Sequence, residues 1–351
     1  MSAVIQLPER RAKTEIAASA PAYAELMTTS NFSFLRAGSH PEELVSAAVG
    51  LGQSGLGLCD RNTFAGVVRA FAAMRNLQEE APDFRYVVGT RLCFADGTPD
   101  IVAYPSDRDA YGRLCQLLTA GNAKGEKGYC HLVFEDLAPF AEGQLFIFHF
   151  DEAASQNSLI MLQKLVQLAP GRVWLAAACL FRGNDRARLA RLAALAHQFG
   201  IAMLAVNDVL YHEPGRRILQ DVVSCIREHM TIADAGRRLE AHAERHLKPP
   251  LEMARLFAAY PDAIAQTQVL LSRIGFSLDQ LRYNYPEETT GTGETAQQTL
   301  ERLTWAGAQW RFPQGLPNPI KETIWKELCL IAYKGYAAYF LTVHDIVQYA
   351  R

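Results

Sequence analysis

The chain has no excess of either charge, no CxxC pair and no long unbroken apolar run. Its 35 Lys and Arg stand against 37 Asp and Glu, giving a net charge of -2 and a pI near 6.5. A whole-surface attraction to nucleic acid or to an acidic membrane is therefore absent, and any such contact has to come from a local patch. The seven cysteines are an odd number, and several fall inside apolar runs such as VWLAAACL. That pattern argues against a disulfide framework and predicts buried free thiols in a reducing compartment. Residues 1–22 contain Glu9, Arg10, Arg11 and Lys13 but no apolar segment of signal-peptide length, and nothing later reads as a membrane span. The expectation is a cytoplasmic chain with no membrane contact and a mobile arm, 1–22, ahead of Tyr23.

What is present is a run of apolar strands alternating with amphipathic helices. With 351 residues, 49% of them hydrophobic, the chain can hold one large domain and a smaller one without covalent staples. Strands are read in YAELMTTSNFSFL from Tyr23, in LGLCD (56–60), RYVVGTRLCF (85–94), DIVAYP (100–105), QLFIFHF (144–150), RVWLAAACL (172–180) and IAMLAVND (201–208). Ser39 with Glu42 makes a capping-box pattern around Pro41, and Asn62 is a candidate cap for a helix carrying Phe64, Val67, Val68 and Phe71. Further helices are read at about 107–120, 156–168 and 185–199, the last stopped by Gly200. The repetition predicts an α/β fold with a mainly parallel sheet, a closed barrel in preference to a doubly wound sheet. In such a fold the carboxyl ends of the strands form the functional rim, where Thr29, Asn31 and Ser33 fall.

After Asp208 the pattern turns helical. The polar stretch PEETTGTGE (286–294) reads as a linker, and its Gly-Thr-Gly follows no strand, so it is not a phosphate loop. An aromatic helix with Leu300, Leu303, Trp305 and Trp310 follows, then a last run from Ile320 to Arg351 that stops without a cap, as though completed by further chain.

The candidate chemistry is thin. Asp60 and Asp208 each close a buried strand, as metal-binding carboxylates do, but their neighbours include Arg61, Arg91, Met27, Thr29 and Leu210, which do not suit a metal ion. His242 and His246, four apart on an expected helix, lack the glutamate that a zinc protease places after the first histidine. Arg182, Arg186, Arg188 and Arg191, and separately Arg237, Arg238, Arg245 and Lys248, read as solvated helix faces.

Several blocks carry a resemblance: YAELMTTSNFSFL, SHPEELV, LCDRNTFAGVVRA, YGRLCQLLT, LAVNDVLYH with LQDVVSCIRE, RHLKPPLEMARLF, and KELCLIAYKGYAAYFLTVHDIVQYAR. In this order they resemble the amino-terminal part of the bacterial C-family DNA polymerases, the polymerase III α-subunit family, and within it the error-prone, mutagenesis-associated branch. The resemblance implies that residues 23–285 form a polymerase-and-histidinol-phosphatase (PHP) domain, a distorted (β/α)7-like barrel, and that 295–351 begin the polymerase palm. In family members with an active PHP domain, histidines and carboxylates at the strand ends hold a metal cluster that hydrolyses phosphoesters. Those positions fall here on Met27 and Thr29, on Asp60 and Arg61, on Arg91, near Leu180, and on Asp208 and Leu210.

The expectation is thus a degenerate pocket that binds no metal, has no phosphoesterase activity and serves as a scaffold, with Arg61 and Arg91 pairing with Asp60 and Asp208. The alternative is a metal-dependent phosphoesterase with the reduced ligand set Asp60, Asp208, His131 and His149. The resemblance further implies a full-length DNA-directed DNA polymerase for damage-induced translesion synthesis. Its palm carboxylates and Mg2+ would lie beyond Arg351, and its partners would be DNA, a sliding clamp and accessory mutagenesis proteins.

Overall fold

The structure is a computed structural model that describes residues 20–282 and 293–351. The expected arm up to residue 19, and the expected linker up to residue 292, lie outside the described residues. The chain divides into two units, Met1–Leu281 and Arg282–Arg351.

In the first unit, seven strands hydrogen-bond in chain order into one curled sheet. They are β1 (Ala24–Thr28), β2 (Gly55–Arg61), β3 (Arg85–Leu92), β4 (Ile101–Pro105), β5 (Gln144–Phe148), β6 (Val173–Ala177) and β7 (Ala202–Ala205). Nearly every strand residue is buried, as in a sheet covered on both faces. β1 to β3 run parallel, as do β5 to β7, whereas β4 is antiparallel to both of its neighbours. No helix separates β3 from β4, so the chain can only return in the opposite direction. Asp100, just ahead of β4, therefore arrives at the rim formed by the carboxyl ends of the other strands. The other connections carry α1 (Pro41–Gly50), α2 (Val67–Asn76), α3 (Arg108–Lys124), α4 (Ser155–Leu168) and α5 (Asp185–Gln198).

Alternation along each strand decides what fills the barrel. Leu26, Val87, Val102, Ile147, Trp174 and Leu204 share the interior with Tyr104. The opposite faces of β2 and β3 (Leu58, Val88) meet Leu44 and Val67 of α1 and α2, while those of β5 and β6 (Phe146, Leu175) meet Leu114, Leu162 and Leu192 of α3 to α5. Tyr104 crosses the barrel and donates its hydroxyl to the Leu26 carbonyl at 2.8 Å. Its ring needs the absence of side chains on two strands: a Cβ on Gly57 would lie 2.1 Å from its Oη, and one on Gly89 2.5 Å from its Cε1.

The sheet edges, β1 and β7, meet in two ways. Low in the barrel, α9 (Pro261–Arg273) packs against both strands, with Thr267 Oγ1 accepting the Ala24 N–H at 3.4 Å and Leu270 and Leu271 entering the interior. At the rim, the Val209 N–H donates to Met27 O at 2.8 Å and the Thr29 N–H to Val209 O at 2.9 Å. The α/β barrel is thus distorted: chain closes it at the mouth and a helix closes it below. Between β7 and α9 run α6 (Arg217–Arg227), α7 (Ile232–Ala235) and α8 (Pro250–Leu256).

In the second unit, α10 (Ala296–Arg311), α11 (Asn318–Lys334) and α12 (Ala337–Ala350) surround Leu300, Leu328, Ala337 and Leu341. Gly335, at φ 67°, breaks the last helical run in two, a left-handed stop that glycine adopts without strain.

Three local expectations need correction. α1 is capped one residue later than Ser39 and Glu42: the His40 N–H donates to Glu43 Oε2 at 2.9 Å, and Ser39 Oγ instead contacts His212 Nδ1 at 2.8 Å. Asn62 does not cap α2. Its amide bridges β2 to β3, donating to Cys93 O at 3.0 Å and accepting the Cys93 N–H at 2.9 Å. His242 and His246 are not on a helix; the segment is irregular, and His246 bridges to Tyr211. No helix among the described residues is long and apolar enough to cross a membrane.

Candidate functional site

Strand parity sorts the rim residues before any distance is read. Counting outward from the interior positions puts Arg61 (after Gly57), Arg91 (after Val87 and Gly89), Asp100 (before Val102), His149 (after Ile147) and Asp208 (after Leu204) on the barrel's inner side. Asp60 points the other way.

Asp60 is 1% exposed beneath the loop that follows β1. Its Oδ1 accepts the Ser30 N–H at 2.8 Å and the Ser33 hydroxyl at 2.7 Å, and its Oδ2 accepts the Ser30 hydroxyl at 2.7 Å. Gly66, ahead of α2, lets the backbone come close: a Cβ there would sit 2.9 Å from Asp60 Oδ2. Burial raises the Asp60 pKa above the ordinary carboxylate range, and the serine donors offset only part of that rise. The expected Arg61–Asp60 pair does not form. Arg61 Nη1 turns inward to Asp100 Oδ2 at 2.7 Å, while its backbone N–H donates to Ser33 Oγ at 2.9 Å.

Asp208 is the centre of the mouth. Its φ of 47° is left-handed, a conformation aspartate tolerates better than most residues. Arg91 pairs with Oδ1 and Arg245 with Oδ2, so both carboxylate oxygens are taken by guanidiniums. Arg245 also donates from Nε to the Asp208 carbonyl at 2.9 Å and pairs with Glu240 at 3.1 Å. Burial alone would raise the Asp208 pKa, but Arg245 and Arg91 outweigh it and hold the group well below the usual range. Burial likewise opposes the charge on Arg91, and Asp208 more than restores it. His149 lies nearby, and its pKa is lowered chiefly by burial and only partly restored by Asp208.

Two cavities flank this knot. The larger, about 320 Å3, is lined by His149, Leu180, Arg188, Asp208 and His242 among others, and the His242 ring bonds the Leu180 carbonyl at 2.7 Å. The smaller, about 180 Å3, is lined by Thr29, Leu210 and a group of arginines. Of the positions drawn from the resemblance, Met27 is fully buried in the interior apolar cluster, away from both cavities. The structure therefore brings Thr29, Arg61, Arg91, Leu180, Asp208 and Leu210 together around the mouth and leaves out Met27 and Asp60.

The residues present do not fit a metal cluster. Asp208 is saturated by two arginines, Asp60 faces away, and His131 is exposed and lines neither cavity. Among the described residues no three His, Cys, Asp or Glu side chains are placed to hold an ion. Sequence reading missed Asp100, whose place depends on the reversal of β4, and mistook Arg245 and Lys248 for a solvated face. Lys248 is 2% exposed, its Nζ donating to Glu244 O and pairing with Glu244 Oε2, both at 2.8 Å.

Comparison with known proteins bears on the whole chain. The family model "Bacterial DNA polymerase III alpha NTPase domain" matches residues 298–351. An error-prone DNA polymerase of Rhodopseudomonas palustris (strain BisB5) is 52% identical over 335 residues, covering 94% of this chain and 30% of the relative. One from Bradyrhizobium diazoefficiens is 52% identical over 339 residues, covering 94% of this chain and 29% of its own. A solved amidohydrolase from Chromobacterium violaceum has a TM-score of 0.40 at 15% identity over 54% of this chain and 88% of its own, too distant to bear on fold or chemistry. The chain spans about 30% of the length of the curated relatives it matches. By its sequence the chain is similar to error-prone DNA polymerases over 94% of its length and to the bacterial DNA polymerase III alpha family over residues 298–351.

Proposed function

We propose that this chain is the amino-terminal portion of an error-prone DNA-directed DNA polymerase, in which the barrel is a structural scaffold and the second unit begins the palm. The observation that carries this reading is the 52% identity to error-prone polymerases across 94% of the chain. In this proposal nucleotidyl transfer, with its Mg2+ and palm carboxylates, belongs to the remainder of the longer protein, as do contacts with DNA, a sliding clamp and accessory mutagenesis proteins. Damage-induced synthesis past lesions in the cytoplasm is the role proposed for that protein. What supports the barrel's part is its mouth, where guanidiniums stand at positions that the family resemblance assigns to metal ligands and where Asp208 is already paired.

The test is primer extension on undamaged and lesion-bearing templates, using the full-length gene product and the 351-residue chain side by side, with hydrolysis of a generic phosphoester in Mn2+ or Zn2+ as a second arm. Extension and lesion bypass by the full-length protein alone, with no phosphoester turnover by the chain, is the expected result. Absence of extension by the full-length protein would overturn the polymerase reading. Metal-dependent turnover by the chain, lost in Asp60→Ala, would restore the phosphoesterase alternative.

A further inference from the structure

Helix α6 turns its apolar side outward. At about 3.6 residues per turn, Ile218, Val222 and Ile226 form a ridge, and Leu219 and Val223 lie beside it on the same side. Ile218 is 75% exposed, Ile226 54% and Leu219 41%, with Val222 and Val223 half-buried. Among the described residues, none of the five joins an apolar cluster of the first unit. The helix is held by its polar side instead. Gln220, Asp221, Ser224 and Arg227 line the smaller cavity; Gln220 Nε2 donates to Arg36 O at 3.0 Å and Arg227 Nη1 to Leu35 O at 2.9 Å. Gln220 and Cys225 are its buried residues. An amphipathic helix ordinarily turns its apolar stripe to the core; the reverse arrangement leaves a contiguous aliphatic surface of the kind that marks an interaction site.

We infer that this surface is a docking face, covered by an apolar helix from the remainder of the longer polypeptide. The inference rests on the reading of the chain as the amino-terminal portion of a longer polymerase. Two observations choose this occupant. The face has the composition of a permanent contact: five aliphatic side chains with no charge, hydroxyl or aromatic ring among them, like a domain core cut in two. Transient docking sites instead rely on aromatic and arginine anchors. The chain also spans only about 30% of the length of its relatives, so on that reading it carries a covalently attached body larger than itself, which meets the face without a second encounter. A ridge of side chains four apart is the surface that another helix receives in its grooves.

Hydroxyl-radical footprinting of the 351-residue chain and of the full-length gene product, read by mass spectrometry of the peptide holding Ile218 and Ile226, tests it. Labelling of these side chains should fall about fivefold or more in the full-length protein, as they pass from solvent to the density of a packed interface. Ile218→Asp/Ile226→Asp should lower the thermal unfolding midpoint of the full-length protein and leave that of the chain unchanged, because in the chain both side chains project into solvent. Equal labelling in the two proteins would overturn the assignment. So would labelling of the chain that falls as its concentration rises, which would make a second copy the occupant, or protection of the full-length protein that appears only when another protein is added. Primer extension by the same full-length sample separates the two readings. Extension with an unprotected helix removes this inference and leaves the polymerase reading, and protection without extension does the reverse.

Discussion

Replacing Arg91 by methionine separates a buried ion pair from an exposed one within a single mouth. Arg91 has 7% of its side-chain surface exposed and Asp208 14%, whereas in the neighbouring Arg61–Asp100 pair the values are 30% and 25%. Removing one partner of a buried pair costs about 3–5 kcal/mol, because the other is left as an uncompensated charge. Arg245 still holds one oxygen of Asp208, so the loss for Arg91→Met falls at the lower end, about 3 kcal/mol. Methionine preserves most of the volume, which keeps cavity formation out of the comparison. Arg61→Met, at the wetter pair, costs about 1 kcal/mol or less.

Urea unfolding read by hydrogen exchange of the β1, β2 and β7 peptides reports the first unit without the second. Adding Asp208→Asn to Arg91→Met should return part of the loss, since the amide needs no cation. The pH dependence has a fixed sign. Asp208 titrates lower in the folded than in the unfolded state, so its contribution is present above the ordinary aspartate pKa of about 3.9 and is lost as pH falls through the folded value. The Arg91→Met deficit should therefore shrink on acidification. Equal losses for Arg61→Met and Arg91→Met, or a loss below about 1 kcal/mol for Arg91→Met, would refute the view that this guanidinium neutralises a buried charge.

Two further outcomes follow from the interior. Glu25 is 1% exposed, and burial raises its pKa to about 7 against the donors Tyr23 Oη (2.7 Å), Met27 N–H (2.9 Å) and Asn207 N–H (2.8 Å). Because the folded state holds this proton more tightly, stability falls as pH rises from about 4.5 to 7, by about 3 kcal/mol; Glu25→Gln should flatten that slope in urea melts taken at each pH, and an unchanged slope would assign it elsewhere. Gly57→Ala drives a methyl into the Tyr104 hydroxyl and should cost about 3 kcal/mol; combining it with Tyr104→Phe should cost less than the sum of the two, whereas strict additivity would mean the residues do not meet.

The strands and most helices were legible because their apolar runs are long and their stops are marked, as at Gly200. The face of each strand was not. A strand covered on both sides is apolar at every position, so period two leaves no mark of inside and outside, and the sequence LGLCD gives Asp60 the same standing as Asp208. What orients β2 is the pair of glycines, Gly57 and Gly89, under Tyr104, and that relation exists only once three strands are side by side. Once they are, position 61 faces inward with 91 and 208, and position 60 faces the serine loop. The cation at 61 was therefore never available to Asp60, and its partner is an aspartate that the reversed strand delivers. Arg245 was hidden for another reason: it reaches Asp208 from an irregular segment with no periodicity to read. The residues at the inward positions are consequently coupled in charge. Arginine at 91 is tolerable in so buried a place because Asp208 faces it, and Asp208 persists because Arg245 and Arg91 together cover both its oxygens, which is why a change at any one of the three should be felt at the other two.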